Sequence, residues 1–373
     1  MKSSSVTFSD SNKPGSDLRL RAAEAFDILA DTTGVVGLAV SGGSDSTALL
    51  ALGADWARER GRKLIAATVD HGLRPEAADE ARGVADMCAS LGVSHHTLTW
   101  IRPESAKAVA QAEARRARHG LLADWARESG ASVIALGHTQ DDRIETFLMR
   151  ARQGSGWHGL AGPLPSGPSP AWPSGRGLRL IRPLLAFGRE ELRENLRSRT
   201  IGWIEDPSNR SDKFERVRMR ALMGRMEKET HDRALRVMDG LAGMRAAVIA
   251  EARAGFATIE TSDSEARIPV EAFRRMGAEA RLRLLEALVM AAGGGETPPR
   301  REALDRLVGR ASGAAGAIGM TLGGAWIRLE KASLTVAQAP PRREEPPNPP
   351  PSAPVWERVE ALLADPRLAA LGV

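Results

Sequence analysis

Tyrosine is missing from all 373 residues, and cysteine occurs once, as Cys88. A lone cysteine excludes an intramolecular disulfide and any Cys-x-x-Cys pair for metal or sulfur. Without tyrosine, aromatic contact to a nucleobase falls to Trp, Phe or His. No Gly-Lys-Ser/Thr tripeptide occurs, so the nucleotide loop built around that lysine is excluded. No apolar run reaches the length of a membrane span, and Met1 to Leu20 lacks the apolar core of a secretion signal. The expectation is a soluble, cytoplasmic protein with no membrane partner. Charge is nearly balanced, 52 Lys and Arg against 47 Asp and Glu, for a net +5. That small excess, with arginines in clusters, suits a polyanionic partner but equally an ordinary solvated surface.

Against these absences stands a 42% apolar content, enough for buried cores in two or three domains. The organising stretch is Ser41-Gly42-Gly43-Ser44-Asp45-Ser46. An apolar run, Val35 to Val40, leads in as a short buried strand, and Thr47 to Leu52 leads out as the opening of a helix. The two glycines admit a ligand close to the backbone, and the serine hydroxyls can donate to oxygens. With the unpaired N–H groups of the helix start, the turn becomes an anion socket. The bland alternative is a plain strand-to-helix connector.

Residues 1–17 read as a disordered lead, followed by a helix over Leu18–Ala30. Further strands are expected at Leu64–Val69, Val93–Trp100 and Val133–Leu136, with helices from Pro75 to about Leu91 and over Glu104–Ser129. Strands alternating with helices predict a parallel sheet whose ligand sits at the carboxyl ends of the strands. Three polar clusters lie there: Ser41–Ser46, Asp70-His71-Gly72-Leu73-Arg74 and Gly137–Asp142.

The third cluster continues to Thr146 and places Asp142 and Glu145 three apart, on one helical face. Such a pair can hold Mg²⁺ or clasp an ammonium. Acids in a first turn can also merely complement the helix dipole, which suits Asp141 but leaves His138 unexplained. The stretch from Arg150 through Arg152 and Gly154 to Gly162 is a glycine-rich loop with arginines, either lying against phosphates or acting as a linker. Residues 163–177 read as mobile, and order returns at Leu178, with Arg182-Pro183-Leu184 and a helix over Arg189–Arg199. Arg216, Arg218 and Arg220 are not on one helical face, so they read either as a basic contact or as a solvated helix start. Five of eleven methionines fall between Met219 and Met244 and read as core filling. Helices are expected to about Arg253, over Val270–Ala292 and over Glu302–Arg310, then a hairpin from Gly319–Gly323 and Trp326–Leu329 with Leu334–Val336 beside it. Eight of the fifteen residues from Pro340 to Pro354 are proline, an extended spacer before a last helix at Val355–Ala364. The expected organisation is therefore a lead at 1–17, a first domain at 18–220, a mainly helical second domain with a small hairpin at 221–338, a spacer at 339–354 and a terminal segment at 355–373.

Ser-Gly-Gly-x-Asp-Ser after a first strand resembles the pyrophosphate loop of the N-type ATP pyrophosphatases. The ordered set then resembles the tRNA(Ile)-lysidine synthetases over about residues 34–220. It comprises Asp70 to Arg74, Ala114 to Arg118, Gly137-His138, Asp141-Asp142, Glu145-Thr146, Gly154 to Gly156, Arg182 to Leu185, Trp203, Glu205-Asp206 and Ser208-Asn209. Thr139, Arg143, His119 and Val217 stand where that family usually has His, Gln, Tyr and Asn.

The resemblance implies an α/β fold, a parallel sheet sandwiched by helices of the adenine nucleotide alpha hydrolase type, with a second, mostly helical domain. It also implies a ligase using ATP and Mg²⁺. The C2 oxygen of the wobble cytidine of a CAU-anticodon tRNA(Ile) attacks the α-phosphorus, and L-lysine then displaces AMP to leave lysidine. ATP would lie on Ser41, Gly42, Gly43, Ser44, Asp45, Ser46, Asp70, His71 and Gly137, with Mg²⁺ on Asp45. Lysine would sit on Asp142 and Glu145, with His138 near the base and Arg115 and Arg118 at phosphate or intermediate. Arg150, Arg152, Gly154, Arg182, Arg216 and Arg218 would grip tRNA. Rivals are a tRNA thiolase, an amidating synthetase of small molecules, or a silent RNA-binding module. The subunit count is open, with a homodimer among the options.

Overall fold

The computed structural model describes residues 17–70, 77–101, 111–205, 215–295, 298–312, 318–340 and 355–364. The lead before residue 17, His71 and the start of the helix at Pro75, the motif Ser208-Asn209, the spacer from 341 to 354 and residues after 364 lie outside the described residues. Two compact units emerge: residues to Thr146 with Pro163–Asp232, and Phe147–Gly162 with residues from Arg233 on. The division falls at 232/233, and the stretch Phe147–Gly162 counts with the second unit; Arg150 and Arg152, read as part of a glycine-rich loop, lie in the last turn of a helix, and the glycines follow it.

In chain order the elements to residue 223 are α1 (Leu18–Leu29), β1 (Val35–Ala39), α2 (Ser44–Arg60), β2 (Leu64–Asp70), α3 (Ala77–Ser90), β3 (Ser94–Thr99), α4 (Gln111–Glu128), β4 (Ala131–Leu136), α5 (Gln140–Arg152), α6 (Trp157–Leu160), β5 (Ser166–Pro168), β6 (Arg179–Ile181), α7 (Arg189–Ser198) and α8 (Glu215–Met223). The first unit carries a sheet of order β3-β2-β1-β4-β6-β5. All neighbours run parallel except β5, which is antiparallel at the edge. Alternation along β1 and β4 feeds two cores. Val36, Leu38, Val133 and Ala135 pack with α1, α2 and α7, while Ala39, Ile134 and Leu136 pack with Leu122 and Trp125 of α4. Both faces are covered, as a parallel sheet requires.

One expectation fails here. Residues 163–177, read as mobile, supply β5, and Ser169 among them is 3% exposed. Composition pointed to a loop, but Ser166–Pro168 pair in register with Arg179–Ile181, and those ladder bonds hold the segment.

The second unit adds α9 (Lys228–Phe256), β7 (Glu260–Thr261), β8 (Glu265–Pro269), α10 (Val270–Arg275), α11 (Ala278–Gly293), α12 (Arg301–Ser312), β9 (Ile318–Leu322), β10 (Ala325–Leu329), β11 (Ser333–Gln338) and α13 (Arg358–Leu363). The expected three-stranded group is a five-stranded sheet, β7-β8-β11-β10-β9. Its core centres on α11, buried along most of its length, and Arg283 of that helix ties down α13 by donating to the carbonyls of Leu362 and Leu363. The methionine reading holds for Met219, Met223 and Met238, which are buried, but Met244 is 55% exposed.

His158 of α6 is buried with Nε2 3.4 Å from Glu279 Oε2, and burial with nearby Arg283 pushes its pKa down to about 4. A histidine kept neutral in the fold but free to protonate when unfolded makes stability fall as pH drops below its ordinary value near 6.5, until about 4. Urea denaturation at about pH 7 and about pH 5 should show a loss approaching 2 kcal/mol from this group. His158→Gln should flatten that dependence.

Candidate active site

The anion loop is built by β1 delivering Ser41–Gly43 to the start of α2. Helix α2 begins at Ser44, a turn earlier than the apolar pattern alone indicated. Gly42 has φ +83°, and a Cβ there would meet Ile204 Cδ1 at 2.5 Å. Its carbonyl accepts from Ile204 N (2.8 Å) and Thr47 Oγ1 (3.1 Å), so the loop is braced from both sides. Ser46 Oγ donates to the Gly43 carbonyl (3.0 Å) and accepts from Ser41 N (3.1 Å). Gly43 caps α2 without a side-chain hydrogen bond, so the first N–H groups receive no acceptor from their cap. Gly137, at the end of β4, lies against this turn: a Cβ would stand 3.0 Å from both Ser46 N and Cα. Backbone cannot yield there as a side chain can. Gly137→Ala should therefore raise the KM for ATP about tenfold by pushing β4 off the loop, measured by pyrophosphate release.

Opposite the loop, α5 presents Asp142 and Glu145, 7% and 0% exposed. Thr139 caps α5: its N–H and Oγ1 both donate to Asp142 Oδ2, at 2.9 and 3.0 Å. The residue that departs from the usual histidine thus fixes the carboxylate in place. Asp142 Oδ1 faces a cation, and that cation is Arg189, the first residue of α7. Its guanidinium reaches Asp45 Oδ2 (2.9 Å, Nε), Glu145 Oε1 (3.1 Å, Nη1) and Asp142 Oδ1 (3.4 Å, Nη2). Arg220 Nε also donates to Glu145 Oε1 at 2.7 Å. Asp141 accepts from the Arg189 N–H at 2.7 Å, so it caps α7 across the cleft, a role beyond complementing its own helix dipole.

Electrostatics in the cluster are lopsided. Burial would lower the Arg189 pKa, but Asp45, Asp142 and Glu145 raise it well above its ordinary value. Asp45 is nonetheless pushed up, because burial and the like charge of Asp142 together outweigh Arg189.

His138 lies beside the acids. Arg182 Nε donates to its Nδ1 at 3.2 Å, so that nitrogen is the acceptor and the proton sits on Nε2. Burial, Arg182, Arg118 and Arg115 push its pKa down to about 3. The imidazole is a neutral donor at working pH. Its ring NMR shifts should therefore stay flat from about pH 5 to about pH 8; a midpoint inside that window would disprove the assignment.

Arg182, read as a tRNA contact, is committed inward to His138 and the Leu164 carbonyl (2.8 Å), and burial lowers its pKa to about 10. Arg118 lines the cleft, as do Ser41, Gly43, Ser44, Asp45, Ser46, Gly137, His138 and Asp142. Asp70 ends β2 at the same edge of the sheet. Arg152, Gly154 and Arg218 are exposed and Arg150 is half-buried; Arg216 lies in α8, its side chain outside the described residues. The sequence reading missed Arg189, Arg193 and His231, which line the cavity of about 680 Å³ together with Arg220, one of the three arginines read as a basic contact or a solvated helix start. Arg193 Nε donates to Ser44 Oγ at 3.2 Å, one turn along α7 from Arg189. A signal existed: an arginine in the first turn of a helix opposes the macrodipole and needs a reason to be there.

A parallel sheet with this glycine turn at the end of β1 defines a PP-loop ATP-binding protein, and the PP-loop domain family matches residues 18–226. A tRNA(Ile)-lysidine synthase of Hyphomonas neptunium is 44% identical over 308 residues, 83% of this chain and 82% of that protein. One of Bradyrhizobium sp. is 38% identical over 352 residues, 87% and 96% of the two. The chain belongs to the tRNA(Ile)-lysidine synthase family. Among solved structures, a U34-tRNA thiolase of Methanococcus maripaludis superposes with a TM-score of 0.51 at 17% identity, over 61% of this chain and 76% of that one. That likeness is one of fold alone. No helix among the described residues is long and apolar enough to cross a membrane.

Proposed function

We propose that this protein ligates L-lysine to C2 of the wobble cytidine of a CAU-anticodon tRNA(Ile), in the cytoplasm, through an adenylated tRNA. The observation that supports the reading is a single guanidinium touching the anion-loop acid Asp45 and both acids of α5, so the residues assigned here to phosphate and to amine lie within one side chain of each other.

In the first step the cytidine O2 attacks the α-phosphorus and pyrophosphate leaves along the glycine turn. The N–H groups opening α2, Ser44, Ser46 and Arg193 supply donors where that charge gathers. In the second step the lysine amine forms the C2–N bond, and AMP departs with the former O2. Free lysine is protonated, with a pKa near about 10.4, so the site must hold the ammonium and then remove a proton. Asp142 and Glu145 hold it, and a carboxylate among them takes the proton. His138, neutral and carrying its proton on Nε2, offers a hydrogen bond to the activated base without competing for the amine proton. The base must leave its stack to reach the cleft, so Arg150, Arg152, Arg216 and Arg218 are assigned to flanking phosphates.

Asp45, the acid on the anion loop, is the residue that would hold Mg²⁺. No group of three acids, histidines or cysteines among the described residues forms a cage, and Mg²⁺ in nucleotide sites commonly uses one or two carboxylates plus phosphates. Bound there, it would neutralise charge on the departing pyrophosphate.

The test is release of labelled pyrophosphate and AMP with ATP, lysine and tRNA varied singly. Lysine-dependent AMP formation confined to the CAU-anticodon tRNA is expected. Dependence on glutamine or ammonia without tRNA would overturn the assignment in favour of an amidating synthetase.

A further inference from the structure

The atoms assigned to the lysine ammonium are already in use. Asp142 Oδ1 and Glu145 Oε1 accept from Arg189 Nη2 and Nη1, and the Arg189 side chain is only 13% exposed. Asp142 has no second oxygen to offer, since Oδ2 is held by Thr139. A lysine ammonium therefore cannot be clasped by both acids while the guanidinium stays. Adding a second cation beside it would also place like charges within a few ångströms in a poorly solvated cleft, which is costly.

Arg189 has one place to go. Its Nε is at Asp45 of the anion loop, and Arg193, the next turn of α7, is at Ser44 Oγ. Helix α7 already runs beside the phosphate socket, so a short side-chain rotation carries the guanidinium from the α5 acids to bound phosphate oxygens. Arginine suits that exchange, because its planar fork fits carboxylate and phosphate alike.

We propose that Arg189 is an internal stand-in for the substrate lysine, transferred from Asp142 and Glu145 to the phosphates when nucleotide binds. This rests on the proposed function and adds a rule to it: nucleotide opens the lysine site. Without nucleotide, lysine must displace a guanidinium paired with two acids and leave it Asp45 alone. With nucleotide present, the displaced charge is rewarded by phosphate. Linkage makes the effect reciprocal, so lysine must tighten nucleotide by the same factor.

Equilibrium dialysis of radiolabelled lysine, with and without an ATP analogue non-hydrolysable between the α and β phosphates, tests this. In the unaltered protein the analogue should tighten lysine binding about tenfold or more. Arg189→Met should bind lysine more tightly than the unaltered protein when no nucleotide is present, and the analogue should then change its affinity little. Arg189→Lys, which keeps a mobile charge, should retain coupling. The idea is overturned if the analogue leaves lysine affinity in the unaltered protein unmoved, or if Arg189→Met weakens lysine binding without nucleotide. Should the Met variant not fold, Arg189→Gln, which removes the charge and keeps a polar side chain, is measured in its place, and undiminished coupling in that variant would overturn the role of Arg189. A parallel turnover assay separates the two levels. Lysine-dependent AMP release without coupling removes the stand-in role and leaves the function, whereas absence of that release removes both.

Discussion

Asp142→Asn should abolish lysine transfer while leaving part of the adenylation step. The two oxygens of Asp142 have separate tasks. Oδ2 accepts from Thr139 N and Oγ1, and Oδ1 faces the cation. Asparagine can keep its carbonyl on Thr139, which turns the amide NH₂ toward the cation and replaces attraction with repulsion. The acid is 7% exposed, so water cannot fill in. A loss of about 10²–10³ in kcat/KM for lysine is expected, the scale of removing one buried charge-stabilising group. A single-turnover assay on labelled tRNA should show adenylated tRNA accumulating with pyrophosphate already released. Equal loss of both steps would contradict the division of labour between the loop and the α5 acids. Glu145→Gln should be harsher for adenylation, because Glu145 also anchors Arg220.

The second large effect is expected within the second unit. Arg245 of α9 is 1% exposed and donates to the carbonyls of His158 (2.9 Å) and Gly162 (2.7 Å). It fixes both ends of the short stretch that closes the glycine-rich loop. At Gly162, φ is +69° and a Cβ would meet Met238 Cε at 2.7 Å, so the loop's end has little room to reposition. Arg245→Met keeps much of the apolar stem but leaves two buried carbonyls without their donor. A destabilisation of about 3 kcal/mol is expected by urea denaturation. At temperatures where the variant remains folded, the KM for tRNA should rise more than that for ATP or lysine. A change in ATP affinity alone would argue that the loop does not meet tRNA.

Much of the site was readable in one dimension because its parts are contiguous. Ser41–Ser46 form a local turn whose glycines and helix start act together over six residues, and Asp142 with Glu145 share a face through helical periodicity alone. Positions made by long-range packing were not readable. Arg182 looks like any basic residue before a proline, and only the packing of β6 beside β4 brings it to His138. Likewise β5 carries Pro and Gly in a stretch whose composition spells loop, and its partner strand decides otherwise.

The chain by itself determined the anion loop, the acid pair, the alternation that makes a parallel sheet, and membership of its family, because each is a short-range pattern of residue type and spacing. Tertiary structure alone decided that Arg189 bridges acids 144, 47 and 44 residues away in sequence. It also decided that Thr139 and Asp141 orient the acids and cap α7, and that His138 is neutral. Those facts depend on which charges burial brings within a few ångströms, and local sequence does not encode distance across a sheet.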